Sequence, residues 1–150
     1  MDRSRVAEKL AEEHDKLARI VTDLRRTNDR PPAQPSEAWL EALRECFFAF
    51  RAHMIRRLAL EEVAGFMREV LDRRPTLARE VEHLHNDHRE ILALTEQIHL
   101  SLGKVTPADT PALAEVRLRI DFLLDTVKHH TSHEETLVSF VFTQDLGGQD

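Results

Sequence analysis

Apolar residues recur at alternating steps of three and four along most of the chain, the spacing that turns one face of an α-helix toward a core. In the last long stretch these steps select Leu113, Val116, Ile120, Leu123, Val127, His130, Glu134, Leu137 and Val141. All are aliphatic except His130 and Glu134, which fall on adjacent turns in the middle. The stretch before it gives Leu77, Val81, Leu84, His88, Ile91, Thr95, Ile98 and Leu102, and the first gives Val6, Leu10, His14, Leu17, Val21 and Leu24. Each stripe is apolar at both ends with a histidine inside it. The second stretch fits two registers: Leu40, Leu43, Phe47, Phe50, Met54, Arg57, Glu61 and Ala64, or Trp39, Leu43, Cys46, Phe50, His53, Arg57, Leu60 and Ala64. Both place Arg57 on the inward face, so His53, Arg57 and Glu61 are expected at or beside the buried seam.

Three breaks separate these stretches. Thr27 to Ser36 holds Asn28, Pro31, Pro32 and Pro35; Pro75 interrupts the second long stretch; Gly103 to Pro111 carries Pro107, with Thr110 as a cap before Pro111 at the first helical position. The segments between breaks run to roughly 24–35 residues, on the order of 35–50 Å of helix. Connections this short make neighbouring helices antiparallel. The expected fold is all-α, an antiparallel up-down-up-down four-helix bundle forming one domain over 1–150, with a flexible tail from about 144.

Composition supports helices over sheets: 32% of residues are charged, 5% are aromatic and only four are glycine. A net charge of −6 with no unbalanced basic stripe points away from nucleic acid. Cys46 is alone, which excludes a disulfide framework and a thiolate zinc site. Neither a signal-peptide core nor an apolar run of membrane-spanning length is seen, so a cytoplasmic protein without membrane contact is expected.

Histidines and carboxylates within four apolar stripes need partners, because a buried polar group without one costs roughly 2–7 kcal/mol. Divalent iron or zinc is satisfied by convergent nitrogen and oxygen donors about 2 Å away, and facing helices with axes roughly 8–10 Å apart can supply them. His130 and Glu134, four residues apart, stand one turn apart on one face. The plainer reading pairs His130 with Glu134 on a helix surface and bonds His88 to a backbone carbonyl. His129 and His133 form a second spaced pair off the aliphatic stripe, and Glu82 to Asp87 reads as a solvated face. Within that run only His85 borders His88 as a spare ligand, while His99 suits a contact with the helix dipole.

With these residues in view, the chain resembles the hemerythrin-like, or HHE cation-binding, domains, from about Glu12 to Phe142. Glu13-His14-Asp15-Lys16-Leu17 is similar to the first family motif, His88 with Arg89-Glu90-Ile91-Leu92 to the third, and His130 through Glu134-Glu135 to the fourth. Glu61 to Met67 resembles the segment that comes after the second motif in many members. The resemblance implies a non-haem iron centre with His14, His53, Glu61, His88, His130 and Glu134 as metal ligands, zinc being the alternative ion. Arg57 departs from the pattern, standing in a histidine or a glutamate place according to alignment, and Leu84 stands where respiratory members carry a histidine. A guanidinium has no lone pair for a metal. Three states are open: a di-iron site with His53 or His85 substituting, a single-metal site, or a metal-free bundle in which Arg57 pairs with Glu61 and Glu134.

The resemblance further implies binding or sensing of dioxygen, nitric oxide, peroxide or iron. Competing readings are a metal-free interaction module and an enzyme disposing of peroxide or nitric oxide. No serine-elbow triad, phosphate-cradling glycine loop or tyrosine is present in the sequence, and paired glutamate-x-x-histidine motifs of the ferritin kind are lacking. Trp39 and Phe48 are the residues that would supply an apolar patch for a homodimer if exposed.

Overall fold

The computed structural model of the chain describes residues 3–63 and 66–147, with side chains for 8–61 (residue 10 excepted) and 67–141. Among them are five α-helices and no strand: α1 (Arg3–Asp29), α2 (Glu37–Val63), α3 (Phe66–Arg73), α4 (Ala78–Lys104) and α5 (Thr110–Gly147), with a 3-10 turn over Pro75–Leu77. The fold is all-helical. α1 packs on α2 and α5, and α4 packs on the same two, an arrangement compatible with a four-helix bundle. The stretch before Pro75 is described as α2 and the short α3, with residues 64 and 65 outside the described residues. No helix among the described residues is long and apolar enough to cross a membrane.

Helix starts and ends are set by local chemistry. The Ser36 hydroxyl accepts the Trp39 N–H at 3.1 Å, capping α2 directly after Pro35. At the start of α5 the cap is Asp109, whose carboxylate accepts the Ala112 N–H at 3.3 Å. The expected cap, Thr110, is therefore the first helical residue, since a carboxylate one position earlier reaches the open amide. The last carbonyls of α1 and α4, which helix geometry leaves unpaired, are met from other elements. Trp39 Nε1 donates to Thr27 O at 3.1 Å and Arg117 Nε to Asn28 O at 2.9 Å. Arg44 donates to Leu102 O at 2.9 Å and, just past the end of α4, to Val105 O at 3.0 Å.

All nine stripe positions of α5 are buried, as are Val81, Leu84, His88, Ile91, Thr95, Ile98 and Leu102 of α4. In α2 the first register forms the core, from Leu40 through Phe47 and Met54 to Glu61, and His53 is buried beside it. In α1, Leu17 and Leu24 are buried while His14 and Val21 are half-buried. Val6, Leu10 and Ala64 of the expected stripes lie outside the described side chains, as do residues 148–150 of the expected tail. Trp39 is half-buried, and Phe48 remains exposed.

The apolar interior falls into two parts. The larger is built on Leu24, Leu43, Phe50, Ile98, Ile120 and their neighbours. The smaller joins Met67 and Val70 of α3 to Val81 and Leu84 of α4 and Leu137 and Val141 of α5. Between them along α5 stand His130 and Glu134, and along α4 stands His88. Ile120→Ala removes three carbons from the larger part and is expected to lower stability by about 2–5 kcal/mol. Leu118→Ala, at an exposed position, should stay within about 0.5 kcal/mol. Urea unfolding of the two variants checks this contrast.

Candidate metal centre

Three helices deliver the polar layer between the two apolar clusters. α2 supplies Arg57 and Glu61, one turn apart; α4 supplies His88; α5 supplies His130 and Glu134, again one turn apart. All five are only 3–4% exposed, so each charge or dipole there must be balanced by a neighbour.

One ligand-type atom from each of Glu61, His88, His130 and Glu134 lies within 4.8 Å of the other three. His88 Nε2 stands 2.9 Å from Glu61 Oε2 and 3.1 Å from His130 Nε2, and His130 Nε2 stands 3.3 Å from Glu134 Oε2. Although these contacts are short, Glu61 Oε2 and Glu134 Oε2 are buried and accept no hydrogen bond. Two imidazole nitrogens, hydrogen-bonded to each other, and two carboxylate oxygens that accept no hydrogen bond thus face one another. That donor set fits a divalent ion of intermediate softness.

The other carboxylate oxygens are spoken for. Arg57 Nε donates to Glu61 Oε1 at 3.2 Å, and Arg57 Nη2 donates to Glu134 Oε1 at 3.2 Å. Arg57 thus pairs with both glutamates, a contact that the sequence allowed for it. Asp87 adds the remaining contact, accepting from His130 Nδ1 at 3.2 Å. That bond directs Nε2 toward the cluster, as an outer carboxylate does for a metal-bound histidine.

Of the six residues expected as ligands, the structure brings together Glu61, His88, His130 and Glu134. It does not bring His14 or His53 to them. His14 lies at the half-exposed rim, its Nε2 3.3 Å from Glu135 Oε1. His53 is buried, with Nε2 3.6 Å from Glu13 Oε2. His85 is exposed and meets His88 only ring to ring, centroids 6.0 Å apart. Asp87 and Glu13 were not foreseen. Asp87 directly precedes an inward histidine, about 100° round the helix, which aims it at the neighbouring helix; that offset was the available signal.

Protonation follows from crowding. Burial raises the Glu61 pKa above the usual carboxylate value, and Glu134 beside it adds to the rise against the opposing pull of His88. For Glu134 burial also acts upward, but the nearness of His130 and Glu61 and the charge of Arg57 outweigh it, and the net shift is down. Burial lowers the His130 pKa, yet Glu134 and Asp87 together overcome it and raise the group above 6.5. His53 goes the other way: burial lowers it, Glu13 opposes, and Arg57 adds to the fall.

Arg57 is therefore the counter-charge of a buried carboxylate pair. Removing one partner of such a group costs about 3–5 kcal/mol. Arg57→Met is expected to lose about that much in chelator-treated protein near neutral pH. The loss should shrink in acid as Glu61 and Glu134 take up protons; urea unfolding at two pH values measures both.

The family model for the hemerythrin HHE cation binding domain matches residues 5–142. No curated protein and no solved structure gives a significant match to the chain. The matched stretch contains the whole polar layer and nearly all of the helical framework around it, and by that match the chain belongs to the hemerythrin HHE cation-binding family.

Proposed function

We propose that Glu61, His88, His130 and Glu134 hold a divalent metal ion, and that the protein binds or senses a small ligand there. The observation that carries this reading is the pair of buried oxygens, Glu61 Oε2 and Glu134 Oε2, that accept no hydrogen bond beside two converging imidazole nitrogens. Leaving two such acceptors unmet is costly, and a cation at their common focus removes the cost. Two nitrogens and two oxygens favour iron, with zinc as the alternative. A ferrous ion with four protein ligands keeps open positions for dioxygen, nitric oxide or peroxide. The chain's own part is to orient His130 through Asp87, to balance the carboxylates through Arg57, and to surround the layer with aliphatic side chains.

The scaffold in this reading is an antiparallel up-down-up-down bundle, a single domain. Contacts between helices support it by their order. Along α1 and α5 they pair His14 with Glu135, Arg25 with Asp125 and Asn28 with Arg117. Along α2 and α4 they pair Arg44 with Leu102, Arg51 with Glu96 and Glu61 with His88. In both sets one number rises as the other falls.

A second reading is favoured by the Arg57 contacts: a metal-free interaction module in which the guanidinium supplies the positive charge. Metal analysis separates the two. Apo-protein titrated anaerobically with ferrous iron, or with cobalt(II) in air, should take up metal. Glu134→Ala or His130→Ala should abolish tight uptake, and Asp87→Ala should weaken it about 10–100-fold. No uptake by folded wild-type protein would leave the interaction module.

Binding should also respond to pH with a definite sign. His130 and Glu61 have raised pKa values in the absence of an ion, and both must be deprotonated to act as ligands. Uptake is then expected to release protons and to weaken as pH falls below the raised His130 value. Calorimetry in buffers of different ionisation enthalpy reads the proton count directly.

A further inference from the structure

Glu61 and Glu134 each present two oxygens, and the two oxygens of each residue serve different ends. Oε2 of each turns to the focus of His88 Nε2 and His130 Nε2. Oε1 of each is bonded to Arg57, at 3.2 Å in both cases. The carboxylate pair therefore spans two cationic places side by side. One is ringed by imidazoles, and the other is filled by a guanidinium.

We propose that Arg57 is a built-in second cation: it occupies the place to which Glu61 and Glu134 would otherwise bridge a second ion, and so limits the centre to one. This rests on the reading of the cluster as a metal centre. The surroundings of the guanidinium are those of a cation site apart from Arg57 itself. Besides the two Oε1 atoms, His53 lies one turn earlier on α2, buried, with its Nε2 3.6 Å from Glu13 Oε2. Arg57 contributes no donor lone pair and stays protonated at every accessible pH, so it can neither ligate nor vacate its charge. It is held from two helices at once, by Glu61 on α2 and Glu134 on α5. An ion approaching Oε1 of both glutamates would have to push a charged side chain, 3% exposed, into the aliphatic layer on either side. The same cation leaves the carboxylates a single net negative charge for an ion at the imidazole side, which suits a divalent ion better than a trivalent one.

The test counts ions. Full-length wild type, Arg57→Lys and Arg57→His are loaded with cobalt(II), freed of excess by gel filtration, and analysed for metal and for the visible ligand-field spectrum. Wild type and Arg57→Lys are expected to hold one ion, because both keep a cation between the carboxylates. Arg57→His exchanges the cation for a donor and is expected to hold two, with a new set of cobalt bands. Two ions in wild type would overturn the proposal, whether or not the variants fold. One ion in a folded Arg57→His would overturn it as well, while leaving the metal centre intact. No ion in any folded form would overturn it by removing the metal reading on which it stands.

Discussion

Two carboxylates buried at one level of a helical framework cannot be left to themselves. Glu61 and Glu134 come from different helices, and neither can reach water. Isolated in aliphatic surroundings, each would shed its charge or pull the helices apart. Their partners decide the rest of the layer. Arg57 takes one oxygen of each, His88 and His130 approach the other, and Asp87 holds His130 in place. The apolar clusters on either side stabilise the chain by burial, but these few contacts determine what kind of interior lies between them.

The family's cation-binding chemistry and the pairing with Arg57 are two answers to one electrostatic problem. A divalent ion supplies twice the charge of a guanidinium and can be exchanged with solution. The guanidinium is permanent, needs no uptake from solution, and offers no reactivity. This chain carries the arginine in the same layer as a donor set suited to an ion. Proton distribution reflects the crowding: Glu61 holds its proton more readily than a free carboxylate, while Glu134 holds its own less readily.

Much of this was readable from residue spacing, and unevenly so. The stripes of α4 and α5 identified His88, His130 and Glu134 because a polar residue at an otherwise aliphatic position stands out, even though α5 also exposes Leu118, Phe122 and Phe140. α2 allowed two registers for a physical reason. It is apolar round much of its circumference, burying Met54 and Leu58 while exposing Phe48 and Ile55, so periodicity cannot choose a face. The charges Arg57 and Glu61 lay on the seam in the chosen register, but only packing selected it. His14 shared a stripe with Leu17, yet it is only half-buried and meets Glu135 instead of the buried cluster. Asp87 was hidden among neighbours that are truly exposed. Short-range capping was similarly near but not exact: a carboxylate one residue before Thr110 took the cap.

The polar layer also has a bearing on how the helices slide against one another. Aliphatic seams are forgiving, since a leucine displaced by one turn meets another leucine or valine. A shift of about 5.4 Å along α5 would carry His130 and Glu134 away from Glu61, Arg57 and His88 and lodge charges among methyl groups. Every such offset would break up the ion pairing of Arg57 across the two helices. The buried charges thus act as an index mark, making one axial alignment of α2, α4 and α5 far lower in free energy than its neighbours.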